Sequence, residues 1–236
     1  MNQIINKRKN SFNNSKFNII SNLLAALVVI IFVIWMLRNP ENLNQISRED
    51  GPIEYLSALF MMLSGIGFFV IAIKNHFISS RLFNRKKVFL LLWCIIMIVF
   101  AGEEISWGQR IFNFSTPESM IEINKQGEFN IHNLGFIGKF RYRFLTLFIL
   151  SVGVLFPILA YSKKIKELIQ RIYFPVSPIA YIVIFIGSFL YGKFLYEYAN
   201  TGDTATEVRE FFLALGMLCF SLHGVLKPKD IFRINE

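Results

Sequence analysis

The chain has 236 residues, 54% of them hydrophobic and only 17% charged, with 26 Phe, a mean hydropathy of +0.47 and a formal net charge of +9. An average soluble domain carries roughly 25% charged residues, and a disordered chain is poor in the Phe, Ile, Leu and Val that abound here. Composition therefore excludes both in favour of a polytopic membrane protein.

In chain order, residues 1–17 form a basic N-terminal segment. Apolar runs follow at about 18–37, 53–73, 88–106, 143–161, 176–198 and 209–226, each near the roughly 20 residues that cross a bilayer as a helix. A short tail, 227–236, ends the sequence. The expected fold is an all-α integral membrane bundle of six transmembrane helices. The first run ends in Trp35-Met36-Leu37-Arg38 without a small-residue cleavage site, so it reads as an anchor and not as a signal peptide. Asp50-Gly51-Pro52 reads as a helix start, with Glu54 in the first turn where the helix dipole favours an anion. Cys94 and Cys219 both lie inside apolar runs and read as small buried hydrophobes.

Charge sets the orientation. Sixteen of the 25 Lys and Arg residues fall at the N-terminus, between spans two and three, between spans four and five, and in the tail. By the positive-inside rule both termini face the cytoplasm, which points to the bacterial inner membrane. The basic charge is then an orientation signal and a contact for anionic membrane lipids, with no nucleic-acid partner implied. Of the acids, only Glu167, Asp230 and Glu236 fall on that side. The rest lie on the outer side, although Asp and Glu contribute little to orientation.

Some of these acids read as caps. Ser115-Thr-Pro-Glu118 and Thr204-Ala-Thr-Glu207 both fit capping boxes. Glu103, Glu104 and Glu197 do not, because the third and fifth spans run outward and place them near helix C-termini, where a carboxylate is disfavoured by about 0.3–1 kcal/mol. Arg110 could share a face with Glu103 if the helix continues, and Lys193 precedes Glu197 by one turn. The segment 107–139 is long for a connection and apolar enough to fold. It is expected to form a partly helical extracytoplasmic lid, whose alternating stretch 126–133 presents Glu128, Asn130 and His132 on one face. His132 is the one histidine of three on the acid-rich side; His76 and His223 fall at cytoplasmic helix ends.

The carboxylates with one His suit a divalent metal such as Mg²⁺ or Mn²⁺, a general acid/base pair, or ion coupling in a transporter. No phosphate loop, HExxH or GxSxG motif is present. The expected catalytic set is Glu103, Glu104, His132 and Glu54. Arg110, Gln109, Asn130 and Glu128 are expected to contact substrate, and Glu103, Glu104, His132 and Glu197 are the candidate metal ligands. The substrate class that fits is a lipid or lipid-linked molecule, with a small transporter or a scaffold as alternatives.

The segments Glu49-Asp-Gly-Pro-Ile-Glu-Tyr55, Ala101-Gly-Glu-Glu-Ile-Ser-Trp-Gly-Gln-Arg110 and Asn124-Lys-Gln-Gly-Glu-Phe-Asn-Ile-His-Asn-Leu134 resemble a family of bacterial polytopic membrane proteins of unassigned activity. The resemblance implies a site location and no chemistry. Glu103-Glu104 is also similar to the paired glutamates of CAAX-processing intramembrane proteases, but Arg110 follows too late and His223 misses their histidine spacing. Alkaline-ceramidase-like hydrolases need several clustered histidines, which the topology here separates.

Overall fold

The computed structural model describes residues 51–74, 85–124, 127–131, 134–198 and 202–234, with scattered positions between 20 and 47. The described regular structure is helical, and an isolated bridge between Asn124 and Leu134 is its β feature. Helix α1 spans Pro52–Lys74 and α2 spans Arg85–Glu104. Helix α3 begins at Gly135–Phe148, widens into a π segment at Ile149–Leu155 and ends at Phe156–Leu159. Then come α4, Lys163–Ile172, α5, Ile182–Tyr198, α6, Gly202–Leu226, and a final turn α7, Pro228–Ile231.

Among the described residues, three helices are long and apolar enough to cross a membrane: α1, the stretch Phe140–Leu159 of α3, and Ala205–Leu226 of α6. Helix α2 makes a fourth if it is counted with its continuation Ser106–Phe112, from which it is bent by 71°. The first apolar run is helical at its described positions between 20 and 38. Its Phe32 packs on Phe211 and Phe212 of α6 at 5.3 and 5.2 Å between ring centroids.

Helix α6 lies at the centre, against α1 on one side and α5 on the other. Small residues let the backbones approach, as is usual where lipid supplies no hydrophobic drive between helices. A Cβ added at Gly67 of α1 would fall 2.8 Å from the Ser221 hydroxyl of α6, and one at Gly153 of α3 would fall 2.1 Å from the Phe185 ring. The same ring faces Gly216 of α6, so Phe185 of α5 is a wedge seated between two glycines. Below it, Phe68 meets Phe220 edge-on at 5.1 Å.

The π segment has a local cause. Pro157 carries no N–H, and its ring crowds the carbonyl four residues back, so an α-helical register there is unfavourable. The widened turn relieves that crowding. Helix α4 is amphipathic: Ile165 and Ile169 face Ala160 and Val176, while Lys163 and Lys164 are exposed.

Three sequence expectations need correction here. Helix α3 starts at Gly135, eight residues before the apolar run, and α6 starts at Gly202, seven before its run. Thr204 therefore lies inside α6, so the capping box at 204–207 does not open the helix. The loop helix Glu118–Ile121 exists, but its N-cap position is Pro117, with no side-chain cap, so the box at 115–118 does not cap it.

Candidate functional site

The break after α2 builds the lid end of the bundle. Ser106, Trp107 and Gly108 all have positive φ, at 45°, 54° and 77°. Such a run is costly for residues with a Cβ, and two contacts hold it. The Trp107 indole donates to Glu103 Oε1 at 2.7 Å, and its ring lies so close to Gly102 that an added Cβ would sit 2.9 Å from it. The sequence Ala-Gly-Glu-Glu-Ile-Ser-Trp-Gly is thus a folded corner. Arg110 consequently does not share a face with Glu103; it pairs with Glu128 at the rim.

Glu103 is consumed by this corner. Its second oxygen accepts from the backbone N–H of Ile131 at 2.7 Å, tying the far strand of the lid to the end of α2. Gln109 clamps the lid's middle, donating to Thr116 Oγ1 at 2.7 Å and accepting from the Phe129 N–H at 2.8 Å. Glu128 and Asn130 do converge, as their alternation implied. The Asn130 amide donates to Glu128 Oε2 and to Ser106 Oγ, each at 3.0 Å. His132 lies outside the described residues, as does the side chain of Glu197.

Glu104 points the other way, into the bundle. It meets Glu207 and Glu210 of α6, one oxygen from each carboxylate lying within 4.8 Å of the others, and all three residues are buried. Glu207 and Glu210 are three apart and share a helix face. Arg141 of α3 forks onto Glu210, its Nη2 donating to both oxygens at 2.8 and 2.7 Å and its Nε to one at 3.1 Å. Arg209, fully buried, turns toward α3: its guanidinium stacks 4.1 Å over the Tyr142 ring and donates to Thr146 Oγ1 at 2.8 Å. Glu54 of α1 is near enough to act electrostatically on Glu104.

A cavity of about 400 Å³ opens beside these groups. Its polar end is Glu103, Glu104, Arg141 and Glu210, and its walls are apolar, including Met61, Phe100, Leu145 and Leu213. Val99 of α2 and Phe140 and Phe144 of α3 line it while remaining exposed on the outer surface of the bundle. Ile131 of the lid and Ile137 of α3 line it and are exposed as well, so the cavity opens where α2, the first part of α3 and the lid meet. Glu104 is 8% exposed and makes no hydrogen bond among the described residues. A buried carboxylate in that condition bears a desolvation cost, which the charge of nearby Arg141 offsets only in part.

The sequence reading located the lid and Glu104 but missed four members of the site. Glu207 carries the signature of a cap, Arg209 and Glu210 stand at the first two positions of the sixth apolar run, and Arg141 falls two residues before the fourth. The signal was there in the spacing: Glu207 and Glu210 lie on the same stripe as Leu213 and Met217, which continue the buried face.

No known protein family, curated protein or solved structure matches the chain.

Proposed function

We propose that this is an integral membrane protein of six spans, with both termini on the cytoplasmic side of a bacterial inner membrane. Its cavity takes a lipid or lipid-linked amphiphile from the bilayer and presents the polar end to Glu104 and Glu207 for acid/base chemistry. One observation carries the reading: Glu104 is buried, makes no hydrogen bond among the described residues, and lines a cavity whose walls are apolar and whose lining includes exposed apolar residues of α2 and α3. Three carboxylates this close in a low-dielectric setting repel one another strongly, and a shared proton relieves the repulsion. Arg141 forks onto Glu210, and the proton is placed between Glu104 and Glu207, whose carboxylate oxygens lie within 4.8 Å of each other.

The test is complementation of a deletion phenotype together with lipid extraction. Glu104→Gln and Glu207→Gln are expected to insert normally and fail to complement, while Glu118→Gln on the lid surface complements fully. Leu213→Trp, which fills the cavity, should remove a co-purifying amphiphile seen by mass spectrometry in the wild type. Full complementation by both cluster variants would overturn the proposal.

A second reading has its own support. Carboxylate oxygens from Glu104, Glu207 and Glu210 within 4.8 Å could hold a hard divalent ion. Against it, Arg141 already occupies both oxygens of Glu210. Loss of function in chelator, restored by Mn²⁺ or Mg²⁺, would favour the metal; insensitivity to chelator favours the proton.

A further inference from the structure

From the charge at the polar end of this cavity, we infer that its ligand carries a protonated amine on an apolar body. The inference rests on the reading of the cavity as an amphiphile site, and it specifies the head. The charged residues that line the cavity are three acids, Glu103, Glu104 and Glu210, and one guanidinium group, Arg141; Glu207 and Arg209 lie behind them. Arg141 is spent on Glu210, and Arg209 faces Tyr142 and Thr146. Glu103 has the Trp107 indole and the Ile131 N–H. The group left to meet a ligand is Glu104, buried, without a hydrogen bond among the described residues, and on the cavity wall. It also ends α2, and a helix C-terminus adds about half an elementary negative charge.

Each class of head fares differently at such a wall. A phosphate or carboxylate head would add negative charge where acids already exceed bases, and like charges set together across an interface are strongly disfavoured. A bare metal ion would leave the apolar walls unfilled. A hydroxyl could donate one hydrogen bond but brings no positive charge to a wall where acids outnumber bases. An ammonium brings a positive charge and three donors, enough for both oxygens of Glu104. The chain attached to it would run along the apolar wall toward Phe140, Phe144 and Val99.

Equilibrium binding to the full chain in nanodiscs, with dodecylamine, dodecanol and dodecyl phosphate as probes at neutral pH, tests this. The amine is expected to bind about tenfold or more tightly than either rival. Glu104→Gln should reduce its affinity by about the same factor while leaving dodecanol unchanged, and Leu213→Trp should abolish amine binding. If the phosphate or the alcohol binds as tightly as the amine, with Leu213→Trp abolishing both, the amine assignment is wrong and the amphiphile site stands. If Leu213→Trp alters the binding of none of them, the site reading itself fails.

Discussion

Glu103 and Glu104 are adjacent in sequence and do opposite things. Successive residues on a helix point about 100° apart, so at the end of α2 one reaches the lid and the other the interior. Glu103→Gln should weaken the bond to the Ile131 N–H, and hydrogen exchange at that amide should rise about tenfold, with the helices unaffected. Glu104→Gln should do the reverse, raising thermal stability by about 1 kcal/mol or more because a charge without a hydrogen-bonding partner is removed from a buried position. A thermal melt in detergent decides it; a lower melting temperature would mean that Glu104 contributes to the fold. At the other end, His223 is 2% exposed, its ring bonded to the Tyr181 hydroxyl and to Asp230 Oδ2, each at 3.2 Å. The hydrogen bond from His223 holds the Asp230 carboxyl below its ordinary value. A depressed carboxyl adds stability above its unfolded value, near 4, and loses it as pH falls through the lower folded value. Melts between pH 5 and 2.5 should therefore show an acid-labile component that Asp230→Asn lacks.

At the scale of elements, α6 shows why the site was only partly legible. Its apolar run is plain in the sequence, but the helix starts seven residues before that run, so hydropathy left Glu207 outside the bundle and Glu210 at the edge of the run, when both are buried within the helix. The same shift hid Arg141 at the start of α3. Each helix carries its polar residues in a first part too charged to register as a span, and the two parts satisfy each other: Arg141 forks onto Glu210. Burial by partnership across helices leaves no mark in either segment alone. The lid was legible because its apolar residues and its length departed from an ordinary loop, while its corner was not, since Trp107 in a left-handed conformation is contrary to local preference. Packing at the glycines gives a sharper test. Gly153→Ala would place a methyl 2.1 Å from the Phe185 ring, and overpacking of this kind costs about 1–3 kcal/mol. The melting temperature should fall, and Phe185→Leu in the same chain should recover part of the loss.

For the molecule as a whole, the charge asymmetry makes a topological prediction. A cysteine placed at exposed Glu122 in the lid should react with a membrane-impermeant thiol reagent added to intact cells. One at exposed Lys164 in α4 should react only after the membrane is opened. Cys94 is buried and Cys219 partly so, which keeps the background low. Reaction at both positions in intact cells would invalidate the proposed orientation and, with it, the lid's place on the outer side. That so few charges are present made the whole arrangement easier to find: with 17% charged residues, each acid within a span stands out once the span is drawn correctly.

The π segment of α3 is also a phase shifter. A π turn holds about one residue more than an α turn, so the helix before it is rotated by about 100° relative to a continuous α-helix. Arg141 stands in the rotated part, and Gly153, under Phe185, stands in the segment itself. Deleting one residue between 150 and 155 would let α3 close into regular α register. The wedge at Phe185 would keep its place while Arg141 swung off Glu210, so the ion pair and the packing are timed against each other by a single inserted residue.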